Sequence, residues 1–374
     1  MPVGPWLLVV GMHRSGTSAV TGALGQLGLG VPVPRDRFEA SEDNPDHFES
    51  RALGIHDDNL LQRLGGTWDG PPNPEPGWES DPDLAEAELG ELVAAAGEAF
   101  PDPGPVAFKD PRVCLLLPHW LAHLPRPLAA VFVWRSPLAV ARSLRVRDHM
   151  ALADGVALWE RYNRAGLAGL AGLDTYVVRY ESVVEDPAGQ LGAVATWLGN
   201  LPQFAPHAPH WDLARAVASI TPQLRRQQDS GDDDLLLAEH RRLVDHLESL
   251  EGAHGPLASP LPGAESAWTT ALLADRRLAT VLRDTLADHV AAAEALAEEV
   301  AQQMKTARLK LEGAKVELAN MYTLYEGMKA STSWRVTRPI RQVVALRNRN
   351  STASGPATSQ VPSQPPPEAD SPEP

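Results

Sequence analysis

Trp6-Leu7-Leu8-Val9-Val10-Gly11-Met12-His13-Arg14-Ser15-Gly16-Thr17-Ser18 is the stretch from which the rest of the chain is read. The apolar run Trp6–Val10 has the length and composition of a strand buried on both faces. It ends in a glycine-bearing loop, and residues 19–29 then read as a helix. Strand, glycine loop and helix form the opening unit of a nucleotide-binding α/β fold. Gly11 and Gly16 keep Walker A spacing, but Thr17 stands where that motif has its lysine. A loop of this kind turns backbone N–H groups toward an anion at the positive end of a helix. Arg14 adds a guanidinium that can grip phosphate through two N–H groups. Ser15, Thr17 and Ser18 add hydroxyl donors. Without the lysine, the loop is poorly equipped for the β/γ-phosphates of a Mg-nucleotide and well equipped for one terminal phosphate.

Working outward, residues 129–134 (AAVFVW) read as a second buried strand, with a helix over 137–146. Residues 175–179 (TYVVR) read as a third, with a helix over 187–198, and Val106–Lys109 as a short fourth. Strands alternating with helices predict an α/β, P-loop-like three-layer fold with a central parallel sheet. Residues 69–78, rich in Pro and Gly, read as a surface loop, and residues 83–100 as a helix.

Composition sets outer bounds. The 374 residues suffice for one large α/β domain with appendages. An apolar content of 43% excludes a wholly disordered chain. Lys+Arg number 33 against 48 Asp+Glu, a formal charge of −15, which argues against a nucleic-acid partner. The single cysteine, Cys114, excludes intrachain disulfides and Cys-rich zinc sites. The 12 histidines show no HExxH spacing, so no metal is expected. No apolar stretch reaches the roughly 18 residues of a membrane span. Residues 1–10 lack a basic leader, so the expected location is cytoplasmic. Lys109 is the only lysine before Lys305, which leaves most cationic work in that region to arginine.

The composition changes near residue 255. Residues 252–263 read as a Gly/Pro/Ser linker, so the expected organisation is a nucleotide-binding domain over 1–255 and a linker over 256–263. A long helix or coiled coil over 264–330 follows, then a basic amphipathic segment over 331–350 and a disordered Pro/Ser-rich tail over 351–374. Apolar or Ala residues at 300, 304, 307, 311, 314, 318, 321, 325 and 328 form a heptad seam. That seam suits a homodimer or a partner enzyme; a long amphipathic helix packed on its own domain is the alternative. Residues 331–350 carry five arginines and no acid. With Trp334, Val336, Ile340, Val343, Val344 and Leu346 they suit a peripheral contact with the inner face of an anionic membrane, or pairing with the acidic body.

The loop GMHRSGTS resembles the 5′-phosphosulfate loop of sulfotransferases, bacterial members in particular. The family's second element is a strand, an Arg, and a Ser eight residues on; here Arg135 and Ser143 stand at that spacing. Asn44-Pro45-x-x-Phe48-Glu49 is similar to another family segment, with His47 departing from its usual Gly-aromatic arrangement. Lys109-Asp110-Pro111-Arg112 and Arg179-Tyr180-Glu181, with Asp186-Pro187 and Trp197-Leu198-Gly199 beyond, match two more. Thr221-Pro222-x-Leu224-Arg225-Arg226 resembles a late basic segment that closes over the 3′-phosphate of the donor. Together these cover about residues 5–230. The eleven residues beginning at Ser331 resemble a tail found on bacterial enzymes of surface-polysaccharide assembly.

The resemblance implies 3′-phosphoadenosine 5′-phosphosulfate (PAPS) as co-substrate, no metal, and a hydroxyl-bearing acceptor, a glycan or lipid-linked glycan. It implies donor contacts from Arg14, Ser15, Gly16, Thr17, Ser18, Arg135, Ser143, Arg225 and Arg226. Sulfuryl transfer is an in-line displacement whose catalysis is mostly positioning and charge stabilisation. For the leaving oxygen Arg14 is the first candidate and Lys109 the second. For the general base Glu49 is the first candidate, with Asp110 and His47 as rivals; Ser50 onward reads helical, so Glu49 also fits a helix-start acid. Trp159, Arg161 and Tyr162 read mainly as packing, and residues 69–100 as a source of acceptor contacts. Two other readings remain open: a P-loop kinase or NTPase, and a non-catalytic coiled-coil scaffold.

Overall fold

The computed structural model describes residues 4–39, 47–81, 89–124, 128–221, 235–258 and 261–351. In chain order the elements are β1 (Trp6–Val10), α1 (Thr17–Leu27), α2 (Arg51–Arg63), α3 (Leu89–Ala99), β2 (Val106–Lys109) and α4 (Val113–His123). Then come β3 (Leu128–Trp134), α5 (Pro137–Asp148), α6 (Leu152–Gly169), β4 (Asp174–Arg179), α7 (Tyr180–Glu185), α8 (Pro187–Asn200) and α9 (Leu213–Ser219). The described chain closes with α10 (Ala238–Ser249), β5 (Gly252–Pro256), α11 (Ala267–Ala330), α12 (Thr332–Val336) and α13 (Arg338–Ser351).

The sheet order is β2-β1-β3-β4-β5. β1, β2, β3 and β4 run parallel to one another, while β5 pairs antiparallel with β4. The chain leaves β1 toward β2 on one side and returns as β3 on the other. This reversal makes the carboxyl ends of β1 and β3 the topological switch point, where an open α/β sheet forms its ligand crevice.

Both faces of the sheet are covered, which is why its central strands read as unbroken apolar runs. Trp6, Leu8 and Val10 of β1 join Phe108, Phe132 and Trp134 on one face, under Leu53 of α2, Trp120 of α4 and Tyr162 of α6. Leu7, Val9, Val131 and Val133 face the other way, under Val20 and Leu24 of α1 and Leu198 of α8. Alternation of side chains along a strand feeds these two layers.

The boundary region differs from its expected form. Part of the stretch read as a linker, Gly252–Pro256, is the edge strand β5. Strand pairing uses backbone groups, so a side-chain-poor edge can still join a sheet. The chain divides into two compact units, Met1–Ala287 and Asp288–Pro374, so the division falls inside α11. Leu273 and Trp268 belong to the core of the first unit, and Arg276 reaches Asp69 at 2.7 Å and Asp154 at 2.9 Å. These contacts hold the start of α11 within the first unit. The expected helix over 83–100 is described as Leu89–Ala99.

Within the second unit, Val300, Met304, Leu311, Leu318, Met321, Tyr325 and Met328 of the heptad seam are all exposed. Ser331 caps α12 by accepting from the Trp334 N–H, and the Arg341 guanidinium stacks on the Trp334 ring at 3.5 Å. Val336, Ile340, Val343, Val344 and Leu346 are exposed. The tail beyond Ser351 lies outside the described residues. No described helix is long and apolar enough to cross a membrane.

Candidate active site

The loop after β1 takes a form that only part of its sequence explains. Gly16 has φ +87°, and Arg14, without glycine's freedom, also lies in the left-handed region at φ +66°. Two such residues separated by one bend the backbone into a concave nest of N–H groups. Gly16 caps α1 with no side-chain hydrogen bond, and the first turn of α1 carries no acid. The buried Ser15 hydroxyl has no protein partner. An unpaired buried hydroxyl beside uncapped helix N–H groups fits a bound phosphate.

Three segments converge on this nest. Arg14 donates from Nε to Ser143 Oγ at 2.8 Å, and Arg135 donates from Nη1 to the Arg14 carbonyl at 3.1 Å. The Arg135 guanidinium lies 5.2 Å from the centre of the Tyr180 ring and 3.7 Å from Glu181. Trp159 donates from Nε1 to the Arg135 carbonyl at 2.8 Å. The structure thus brings Arg14, Ser15, Gly16, Arg135 and Ser143 together, with Tyr180 and Glu181 holding Arg135. Arg225 and Arg226 lie outside the described residues. Trp159 and Tyr162 are fully buried, and Arg161 pairs with Glu265 at 2.5 Å.

On the other side of the loop, Lys109 at the end of β2 is buried, with 2% of its surface exposed. Its ammonium donates to Ser18 Oγ at 3.0 Å and to Glu49 Oε1. Glu49 also faces His47 Nδ1 at 3.5 Å. Burial by itself would push the Glu49 carboxyl up. The Lys109 ammonium beside it prevails and, with His47, holds it well below the usual carboxylate range. Asp110 is differently employed: it accepts from the backbone N–H, Nε and Nη2 of Arg112 at 2.8–2.9 Å. That pairing makes Asp110 a clamp for Arg112 and a poor candidate for proton transfer.

Among the described residues, Glu49 opens onto a cleft of about 1050 Å³ lined by segments 34–39 and 47–51, with Pro111, Arg112, Arg147 and His13. None of the described residues of the 69–100 stretch lines this cleft, and residues 82–88 lie outside the described residues. Asp69, Pro71 and Pro72 are instead held by Arg276, Arg277 and Arg161. His13 was not singled out from the sequence. Its ring packs 4.7 Å from Trp68, and its Nε2 is buried without a hydrogen-bond partner at the cleft floor. Burial and the charges of Arg147, Arg112 and Lys109 hold its imidazole well below the usual range, hence neutral. The signal available was its position beside Arg14, inside the anion loop.

The model of the sulfotransferase family matches residues 5–204, from the start of β1 past α8. The chain belongs to the sulfotransferase family. Among solved structures, this sulfotransferase is similar to the sulfotransferase domain from the curacin biosynthetic pathway. The identity there is 15% over 74% of this chain and 98% of that one, with a TM-score of 0.35. It is also similar to the sulfotransferase domain from the Synechococcus PCC 7002 olefin synthase, at 20% identity over 74% of this chain and 94% of that one, with a TM-score of 0.34. No curated protein matches the sequence. Among the described residues of the sulfotransferase, no group of three or more His, Cys, Asp or Glu side chains is placed to hold a metal ion.

Proposed function

We propose that this sulfotransferase moves a sulfuryl group from PAPS to a hydroxyl of a carbohydrate or glycolipid. The observation that supports the donor is the convergence of Arg14, Arg135 and Ser143 at the switch point, beside a nest that lacks the Walker lysine. The loop and the adjoining Arg135–Ser143 pair suit a nucleotide with a 5′-phosphosulfate and a 3′-phosphate. The loop and Ser15 would take the former, and Arg135 with Ser143 the latter.

The reaction joins the acceptor oxygen to sulfur and breaks the bond from sulfur to the bridging oxygen, releasing 3′,5′-adenosine bisphosphate. The acceptor proton goes to Glu49, at the junction of cleft and loop. Lys109 and Arg14 neutralise charge growing on the leaving phosphate. Lys109 is shared between Ser18 and Glu49. An anionic donor drawing that ammonium toward itself would loosen its hold on Glu49 and raise the carboxylate's basicity.

The deciding measurement is a metal-free thermal shift with 3′,5′-adenosine bisphosphate, ATP, and ATP with Mg²⁺. A ligand at 100 times its Kd adds about 2.7 kcal/mol and moves the melt by several degrees. Stabilisation by the bisphosphate alone is expected. Stabilisation only by Mg-ATP would point to a kinase-like enzyme, and no shift with any of them to a scaffold.

Arg14→Ala and Arg135→Ala are each expected to weaken bisphosphate binding at least tenfold, about 1.4 kcal/mol. Calorimetric titration checks this, and wild-type affinity in either removes that residue from the donor site. Glu49→Gln is expected to keep bisphosphate affinity and lose roughly 10²–10⁴-fold in turnover. Retained turnover would move the base to His47 or His13.

The exposed heptad seam of α11 supports a homodimer or a partner enzyme, since a long helix is stable mainly where its apolar stripe is covered. The basic, apolar face of α12 and α13 supports a peripheral contact with the inner face of the cell membrane from a cytoplasmic position. Sedimentation of the full chain and flotation with anionic vesicles test the two separately.

A further inference from the structure

The exposed seam of α11 is built of two unequal rows. Its spacing puts Met304, Leu311, Leu318 and Tyr325 on one row and Val300, Ala307, Ala314 and Met321 on the other. The first row holds only large side chains, and the second is smallest at its centre, Ala307 and Ala314. Met304, Leu311, Leu318 and Met321 are all more than half exposed. A helix of this length is stable mainly where such a stripe is covered.

Two copies of the stretch can pair in two directions. In a parallel pair each row meets itself. Leu311 and Leu318 then face their own counterparts, while Ala307 and Ala314 face theirs, so thick layers alternate with thin ones that leave voids. In an antiparallel pair each row meets the other. Read backwards about a centre between Glu312 and Gly313, the stretch is its own complement. Leu311 meets Ala314, Leu318 meets Ala307, Met304 meets Met321 and Tyr325 meets Val300. Large meets small at the centre, and the layers widen evenly toward both ends, which packs without voids.

The charges beside the seam select the same direction and register. Lys310 and Glu317 lie on one flank and Arg308 and Lys315 on the other, and Ala301, Gln303, Tyr322 and Leu324 complete the flanks without charge. A parallel pair sets Lys310 of each copy beside Lys315 of the other. The antiparallel pair sets Lys310 of each copy beside Glu317 of the other. Arg308 there faces Lys315, whose ammonium is already paired with Glu312 at 2.9 Å. Sliding that pair by one heptad puts like charges opposite themselves, Lys310 and Arg308 in one direction and Glu317 and Lys315 in the other. We propose that α11 pairs antiparallel with α11 of a second copy of this chain, Leu311 of each packing on Ala314 of the other. The proposal rests on the reading of the seam as a helix–helix interface and adds its partner and direction. A helix of another protein would give the stretch no reason to be its own complement in reverse.

Sedimentation of the full chain over a range of concentrations is expected to show a monomer–dimer equilibrium, and Lys310→Glu reads its direction. In the antiparallel pair this substitution sets carboxylates together on both symmetry-related flanks. It is expected to weaken the dimer roughly tenfold, less as salt rises. In a parallel pair it would replace a repulsion by an attraction and tighten the dimer. An equal mixture of Lys310→Glu and Glu317→Lys chains is expected to pair as well as the wild type, because each flank again joins opposite charges. All these side chains are exposed in the second unit, so bisphosphate affinity should not change. Under mild oxidation, Leu311→Cys mixed with Ala314→Cys should form a disulfide dimer faster than either alone; Cys114 is buried and does not compete. A dimer that tightens in Lys310→Glu, or that crosslinks as fast through Leu311→Cys alone, is parallel and overturns the proposal while leaving the seam an interface. A dimer indifferent to these substitutions is made elsewhere on the molecule and also overturns it. A chain that stays monomeric throughout removes self-pairing altogether and leaves the seam to another protein's helix.

Discussion

Lys109→Met is expected to destabilise the catalytic unit by about 3–5 kcal/mol, the range for breaking a buried ion pair by removing one partner. The substitution keeps the side-chain volume and leaves Glu49 as a buried carboxylate without its main cation. The melt should fall by roughly 10 °C, at about 2–4 °C per kcal/mol for a unit of this size. The effect depends on pH. In the wild type the folded Glu49 carboxyl lies below its unfolded value. Its stabilising contribution is therefore present above the unfolded value, about 4.3, and is lost as pH falls through the folded value. In the variant burial dominates and raises the carboxyl. The variant is then least penalised where the carboxyl is protonated and increasingly penalised as pH rises through its raised folded value. The gap between the two melts should thus widen as pH rises above the unfolded value, about 4.3, and level off above the variant's raised folded value. Adding Glu49→Gln should restore most of the stability and none of the turnover, since both catalytic groups are then absent. An unchanged melt in Lys109→Met would mean that the pair is screened by solvent and that Lys109 does not organise Glu49.

Gly16→Ala is expected to damage fold and donor binding together. At φ +87° an L-residue costs about 1–2 kcal/mol. The new methyl would sit 2.0 Å from the Tyr180 ring, so the ring must move, at about 1–3 kcal/mol for overpacking. Tyr180 is also the surface on which Arg135 rests. Its displacement should carry Arg135 away from the nest and weaken bisphosphate binding by more than tenfold. Adding Tyr180→Ala to Gly16→Ala relieves the clash, leaves the backbone strain and still lacks the ring. Thermal melts should recover in part and binding should not. Full recovery of binding would show that Tyr180 merely fills space.

The strands were legible because each is a short local pattern. Trp6–Val10 and Val106–Lys109 are found where their apolar runs stand, and Leu128–Trp134 and Asp174–Arg179 begin one residue earlier than expected. β5 was not legible: Gly252-Ala253-His254-Gly255-Pro256 has no apolar alternation, and only the open edge of β4 makes it a strand. The first turns of α11 were assigned to an appendage because their composition matches the helix beyond. Their anchoring to α6, where Ser266 just before the helix donates to Glu160 at 2.8 Å, is invisible to periodicity. His13 was passed over because in sequence it looks like filler between Gly11 and Arg14.

The sequence by itself determined the opening strand–loop–helix unit, the alternation of buried strands with helices, the anion loop without a lysine and the match to the sulfotransferase family. All of these are carried by neighbouring residues whose spacing sets backbone geometry and burial. Only the tertiary structure decided which side chains meet. Lys109 reaches Glu49 across 60 residues and Ser18 across 91, and Arg14 reaches Ser143 across 129. Whether Glu49 is an isolated helix-start acid or the partner of a buried lysine depends on which loops the sheet order brings to the same edge. Such contacts follow from packing apolar faces far apart in sequence, and no local pattern encodes them.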